Sequence, residues 1–259
     1  MATLILVRHG RTTANSTGVL AGRSPGVSLD DTGEQQAAVV AERLSVLPLS
    51  RIVSSPLERC RQTAAMLARA QESRPRVRVE RRLTECGYGA WTGRPLKELA
   101  KEPLWKTVQG HPSGVTFPDG ESMRDMQSRA VGSVRRADAE IEDESGPDAV
   151  WAAVSHGDVI KSVLADALGL HLDQFQRLVV DPGSVSVIRY TPTRPFVMHL
   201  NDHGNDLGAL RPPKRRRKRA SSDAAVGGGA GSSARGNTRR SAARGTQAGG
   251  ARRRVGRNQ

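Results

Sequence analysis

Aromatic side chains are scarce in this 259-residue chain: three Trp, two Tyr and three Phe, all before residue 210. The stretch beyond, 211–259, is mostly Ala, Gly, Ser and Arg with almost no large apolar residue, so it cannot bury enough surface to offset the entropy of ordering. Acid is missing there too, Asp223 standing alone against 15 Lys or Arg. The formal charge of +14 therefore resides in the tail, and residues 1–210, with 25 basic and 25 acidic side chains, are neutral. A single domain over 1–210 followed by a disordered basic tail over 211–259 is the expectation.

Cysteine is nearly absent as well. Cys60 and Cys86 form no paired Cys-x-x-Cys spacing, which excludes a cysteine-built metal centre and points to a reduced, cytoplasmic chain whose two thiols are inert fillers. No apolar run approaches the ~20 residues needed to cross a bilayer, and no basic and apolar leader precedes the first strand, so neither membrane insertion nor secretion is expected. Lysine is rare beside arginine, 6 against 34, which with abundant Ala and Gly suggests a GC-rich bacterial coding sequence.

What is present is an alternation of apolar strands and amphipathic helices. The run 3–7 reads as a strand and ends in Arg8-His9-Gly10; a polar loop over 11–31 follows, long enough to belong to a site. A helix opens at Thr32, where Thr32 and Gln35 make a capping pair, and shows Ala37, Val40, Ala41 and Leu44 on one face until Pro48 closes it. Residues 51–54 read as a second strand, after which Ser55-Pro56-Leu57-Glu58 has the pattern of a helix start with Ser55 as cap. A third strand over 77–79, a Gly- and Pro-rich excursion over 85–120, a long helix over 121–144, a strand over 150–154, a helix over 157–168 and two last strands over 184–190 and 196–200 complete the reading. This alternation predicts an α/β fold with a mainly parallel sheet flanked by helices, and ligands at the carboxyl ends of its strands.

Three strands thus deliver Arg8, His9, Arg59 and His156 to one sheet edge. Two guanidiniums and two imidazoles gathered there would repel one another unless a dianion lay between them, and phosphate suits the guanidinium fork. The basic tail offers a second anionic partner. Its densest run, Pro212 to Arg219, could release counterions from nucleic acid or another polyanion, without base stacking because no aromatics interleave with the arginines.

These residues resemble the histidine phosphatase superfamily and its phosphoglycerate mutase-like branch. The likeness rests on Arg8-His9-Gly10, on Ser54 to Arg59 continuing to Gln62-Thr63-Ala64, on Leu83-Thr84-Glu85 with Tyr88-Gly89, and on Ser155-His156-Gly157. It implies that His9 is the nucleophile and forms a phosphohistidine, that Arg8, Arg59 and His156 hold the phosphoryl oxygens, and that Glu85 is the proton donor. Asn15, Gly22, Tyr88 and Gly157 become substrate-binding candidates; no metal or other cofactor is called for.

The resemblance also separates hydrolysis from transfer. A mutase of this kind carries a lysine shortly after the acid and an adjacent arginine pair; here Leu96 stands in that place and the pair is missing. A phosphomonoester hydrolase acting on a small phosphorylated substrate is therefore expected, with a phosphoglycerate mutase as the alternative suggested by Tyr88-Gly89-Ala90. A nucleic-acid-associated protein acting through its tail is the third reading. For the rest of the substrate two readings stand open: Arg94, Lys97, Lys101, Lys106, His111 and Arg124 as readers of a second anionic group, or an apolar lid of Trp91, Leu104, Trp105 and Phe117 that favours a bulky organic ester.

Overall fold

A computed structural model describes residues 2–204 together with 226 and 227. In chain order the elements are β1 (Thr3–Arg8), α1 (Thr13–Thr17), α2 (Asp31–Leu44), β2 (Leu49–Ser54), α3 (Glu58–Ala70), β3 (Val77–Val79), α4 (Leu96–Leu99), α5 (Pro103–Gly110), α6 (Met123–Ser145), β4 (Val150–Ser155), α7 (Gly157–Ala167), β5 (Val185–Arg189) and β6 (Phe196–Asp202). The described strands form one sheet in the order β3-β2-β4-β1-β5-β6. β1, β2, β3 and β4 run parallel, whereas β5 and β6 join as antiparallel strands on the far side of β1. The chain is accordingly an α/β domain with a mainly parallel sheet.

Side-chain alternation divides the central strands between two cores. Leu4 and Leu6 of β1, with Trp151 and Ala153 of β4, face α6 and α7 through Met126, Val134, Val163 and Leu164. Ile5 and Val7, with Ala152 and Val154, face α2 and α3 through Val40, Leu44, Ala64 and Leu67. Being covered on both sides, β1 and β4 are near-continuous apolar runs, as buried parallel strands must be.

Several local expectations change. The polar loop over 11–31 contains the short helix α1, whose N-cap Thr12 and residue Asn15 bond reciprocally. α2 is capped by Asp30, whose carboxylate accepts from the Gly33 amide, and Thr32 lies inside the helix; Arg11 donates to both side chains. Ser55 does not cap α3: the N-cap is Leu57, with no side-chain bond. The excursion over 85–120 is partly helical, supplying α4 and α5. The tail expectation, 211–259, falls on 211–225 and 228–259 outside the described residues; Val226 and Gly227 are described and lie against the domain.

Register places the site. Arg8 pairs with Ser155 and Ser54 with Val154, so β1, β2 and β4 end on adjacent rungs. The ladder continues one step beyond them: the His9 amide donates to the Ser155 carbonyl at 3.1 Å and the Ser55 amide to the Val154 carbonyl at 3.0 Å. Arg8 and His9, Ser55, and His156 consequently emerge side by side at the carboxyl edge.

Candidate active site

His9 is 3% exposed. Its Nδ1 lies 2.7 Å from the Gly10 carbonyl, which can only accept, so Nδ1 carries the proton. Nε2 then holds the lone pair, and Arg59 Nε donates to it at 3.2 Å. Both partners select the same neutral tautomer. Burial first, then the Arg59 and Arg8 guanidiniums, hold this imidazole well below its usual pKa.

Arg59 projects from the first turn of α3. Its Nη2 donates to the Gly22 carbonyl at 2.8 Å, while Nη1 is buried without a hydrogen-bond partner among the described residues. Gly22 has φ +50, and a Cβ there would lie 2.9 Å from Thr92 Oγ1 and 3.1 Å from the Tyr88 ring. Glycine is thus required by backbone shape and by crowding.

His156 is the N-cap of α7. Its ring centroid lies 5.2 Å from that of His9 with an interplanar angle of 63°. Nε2 is 2.8 Å from Ser55 Oγ and Nδ1 is 3.9 Å from Glu85 Oε2. Burial, Arg59, His9 and Arg8 depress this pKa strongly as well. Both imidazoles are therefore neutral near pH 7.

Glu85 follows a 3₁₀ turn at Arg81–Leu83 and is 4% exposed. Its backbone carbonyl is held by Arg23 Nε at 2.8 Å and Arg129 Nη2 at 3.2 Å, and Oε1 accepts from the Cys86 amide at 3.0 Å. Burial and the neighbouring Asp158 raise its pKa to about 7, against the opposing pull of Arg59 and Arg8. A carboxyl poised there can deliver or take a proton at neutral pH.

Of the residues singled out in the sequence, His9, Asn15, Gly22, Arg59, Glu85 and Tyr88 line one cavity. Arg8 is fully buried beside it, donating Nη1 to the Val180 carbonyl at 2.7 Å. Gly157 is the first residue of α7 and is not among the lining residues. The Asn15 Oδ1 is occupied by the Thr12 amide and hydroxyl. Tyr88 is wholly buried and donates to Asp158 Oδ2 at 2.7 Å.

The apolar lid is corrected. Trp91 and Phe117 are core residues, 2% and 1% exposed, with Trp105 stacked on Trp91 and Phe117 edge-on to Tyr88. Neither they nor Leu104 line the cavity; Leu20, Val19 and Leu96 do. Both thiols are buried and their pKa values pushed up, that of Cys60 to about 12 by burial, as befits packing residues.

Sequence reasoning missed Ser55, Asp158 and the pair Val226-Gly227. Asp158 follows Ser155-His156-Gly157 directly and could have been flagged by position. Nothing in the Ala- and Gly-rich surroundings marks Val226.

A family model described as the histidine phosphatase superfamily (branch 1) matches residues 4–203. The chain belongs to that superfamily. Within it, the chain is 31% identical over 204 residues to phosphoserine phosphatase 1 of Hydrogenobacter thermophilus, covering 78% of this chain and 92% of that protein. It is 34% identical over 193 residues to a probable phosphoglycerate mutase of Citrobacter koseri, covering 73% and 86%. Among solved structures it resembles a mycobacterial glucosyl-3-phosphoglycerate phosphatase in complex with VO3, with TM-score 0.69 and 25% identity over 77% of this chain and 98% of that one. This superfamily therefore includes both phosphatase and mutase relatives of the chain.

Proposed function

We propose that this chain hydrolyses a small phosphomonoester through a phosphohistidine on His9. One observation carries the reading: the unprotonated Nε2 of His9 faces the Arg59 guanidinium, whose Nη1 is buried without a partner. A buried cation with a free donor beside a nucleophilic nitrogen calls for an anionic oxygen.

In the first step the His9 Nε2 lone pair bonds to phosphorus while the ester P–O bond breaks. Glu85 protonates the departing oxygen and becomes a carboxylate. Arg8, Arg59 and His156 hold the phosphoryl oxygens, with the Asn15 amide group, Gly22 and the Gly157 amide at the start of α7 as auxiliary donors and Tyr88 as a wall. In the second step Glu85 takes a proton from water as its oxygen bonds to phosphorus and the P–N bond breaks. Phosphate leaves, and both residues return to their initial states. No metal ion takes part in either step.

Water is the acceptor in this reading because Leu96 lines the cavity where a mutase of the family presents a lysine. The similarity to the Citrobacter protein favours transfer between sugar-acid hydroxyls as the second reading. The two buried, unpaired thiols suit a cytoplasmic setting. Salt-sensitive contact of 211–259 with a polyanion is proposed from the charge of that segment alone.

The test is a panel of phosphate esters with phosphate release as readout, with and without chelator, together with labelling of His9 in enzyme quenched in alkaline detergent, since acid hydrolyses the P–N bond. Release that persists in chelator, with label on His9, is expected. Rapid interconversion of 3-phosphoglycerate isomers in the presence of a bisphosphoglycerate primer, without phosphate release, would overturn hydrolysis.

A further inference from the structure

Two residues distant in sequence from the rest of the site sit inside it. Val226 is 2% exposed, and Val226 and Gly227 line the same cavity as His9, Arg59 and Glu85. Gly227 is gripped on both sides of its backbone. Its amide donates to Asp158 Oδ2 at 2.9 Å, the oxygen that also accepts from Tyr88, and its carbonyl accepts from Arg8 Nη2 at 3.2 Å. Its φ is +76, and a Cβ would lie 3.0 Å from Leu20 Cδ1, so a side chain is opposed by both backbone conformation and space.

With these two residues seated, the cavity has about 30 Å³ free, room for about two or three waters. An ester bound with these residues seated would have to carry its organic part towards the open mouth of the cavity. One of the guanidiniums assigned to phosphate is meanwhile occupied by a peptide carbonyl, a neutral oxygen standing in for an anionic one.

We propose that the pocket is also a peptide-binding site whose ligand is the chain's own Val226-Gly227, an internal plug that substrate must displace. The inference rests on the catalytic reading of this pocket. The plug is held by an apolar side chain and by two hydrogen bonds from its neutral backbone to the Asp158 carboxyl and the Arg8 guanidinium, whereas a phosphate dianion brings full charge to Arg8 and Arg59. Substrate therefore has the stronger claim on the guanidiniums, and the plug sets an affinity threshold without blocking turnover at saturation.

Two substitutions in the full chain test this. Gly227→Val forces a β-branched residue into the left-handed conformation and against Leu20; Val226→Gly removes the apolar anchor. Orthovanadate affinity is measured by calorimetry, which needs no turnover, beside KM and kcat for a small ester. If the plug is seated about nine-tenths of the time, both variants bind vanadate about tenfold more tightly and lower KM about tenfold, with kcat unchanged. A synthetic peptide of residues 222–231 should restore the higher KM competitively. Unchanged or weaker vanadate binding in both variants would overturn the plug and make these residues a wall of the pocket. Tighter vanadate binding without label on His9 would instead sustain the plug and remove only the hydrolase reading.

Discussion

The Ser55 hydroxyl lies 2.8 Å from Nε2 of His156, joining the end of β2 to the end of β4. Its oxygen also accepts, at 3.4 Å, from the Leu57 amide. The serine thereby anchors the His156 ring, with the Cys60 sulfur 3.5 Å from the same nitrogen. Ser55→Ala should release this ring, lower kcat about tenfold, and cost about 1–3 kcal/mol of stability for the orphaned nitrogen. Steady-state kinetics and thermal unfolding of the same preparation check both effects.

His9→Ala should lower turnover by about 10⁴-fold or more, and the variant quenched in alkaline detergent should show no phosphoryl label. His9→Asn, which keeps an amide in the pocket, should be equally inactive yet still bind vanadate. Residual activity within tenfold of the parent would exclude His9 as nucleophile.

Glu85 gives the reaction its pH dependence. Only the protonated carboxyl can donate, and its proton is lost as pH rises past about 7, so kcat should fall on the alkaline side for an alkyl ester. Glu85→Ala should cost about 10²–10⁴ with an alkyl phosphate and far less with an aryl phosphate, whose leaving group needs no proton. On the acid side the limb lies below pH 6.5, since His9 is depressed and stays unprotonated there. Stability follows the same group. Its folded pKa exceeds the unfolded 4.5, so its contribution is complete below pH 4.5 and is lost as pH rises towards 7. Glu85→Gln should flatten that part of the stability profile, as read by denaturant unfolding at several pH values.

Arg59→Lys keeps a positive charge but loses the fork that reaches His9 Nε2 and Gly22 together. A reduction of about 10²–10³ in kcat/KM is expected. Arg59→Met, which removes the charge, should raise the pKa of His9, because Arg59 is the larger of the two charges depressing it; proton NMR titration of the ring measures this.

Gly89→Ala should act on stability alone. Gly89 has φ +51, and a Cβ would meet the Pro118 carbonyl oxygen at 2.0 Å, beside the bond from the Ala90 amide to that same carbonyl. About 3 kcal/mol of destabilisation is expected, a fall of about 10 °C in Tm for a domain this size.

The sheet was legible because its central strands β1 and β4 are near-continuous apolar runs, and the meeting of Arg8, His9, Arg59 and His156 followed from parallel strands sharing a carboxyl edge. Local polar bonding was harder to read. Asp30, Asp31 and Thr32 are all competent caps, and the helix starts after Asp30 because that residue keeps an extended backbone, φ −90 and ψ 173, which residue type alone does not separate from its neighbours. Ser55 was assigned to its neighbours in sequence, whereas its partner is 101 residues away. α1 escaped notice because its five residues contain no buried side chain and hence no apolar period. Trp91 and Phe117 looked like a lid because composition reports apolar surface without saying which side of Tyr88 it covers.

The rung that joins Arg8 to Ser155 has an evolutionary corollary. Since the spacing of the two imidazoles is inherited from the period of a hydrogen-bonded ladder, it is insulated from changes elsewhere in the chain. Leu20 and Leu96, which belong to no strand, can be exchanged to suit a new ester while the phosphorus chemistry is left untouched, so specificity in this architecture can diversify residue by residue without passing through an inactive ancestor.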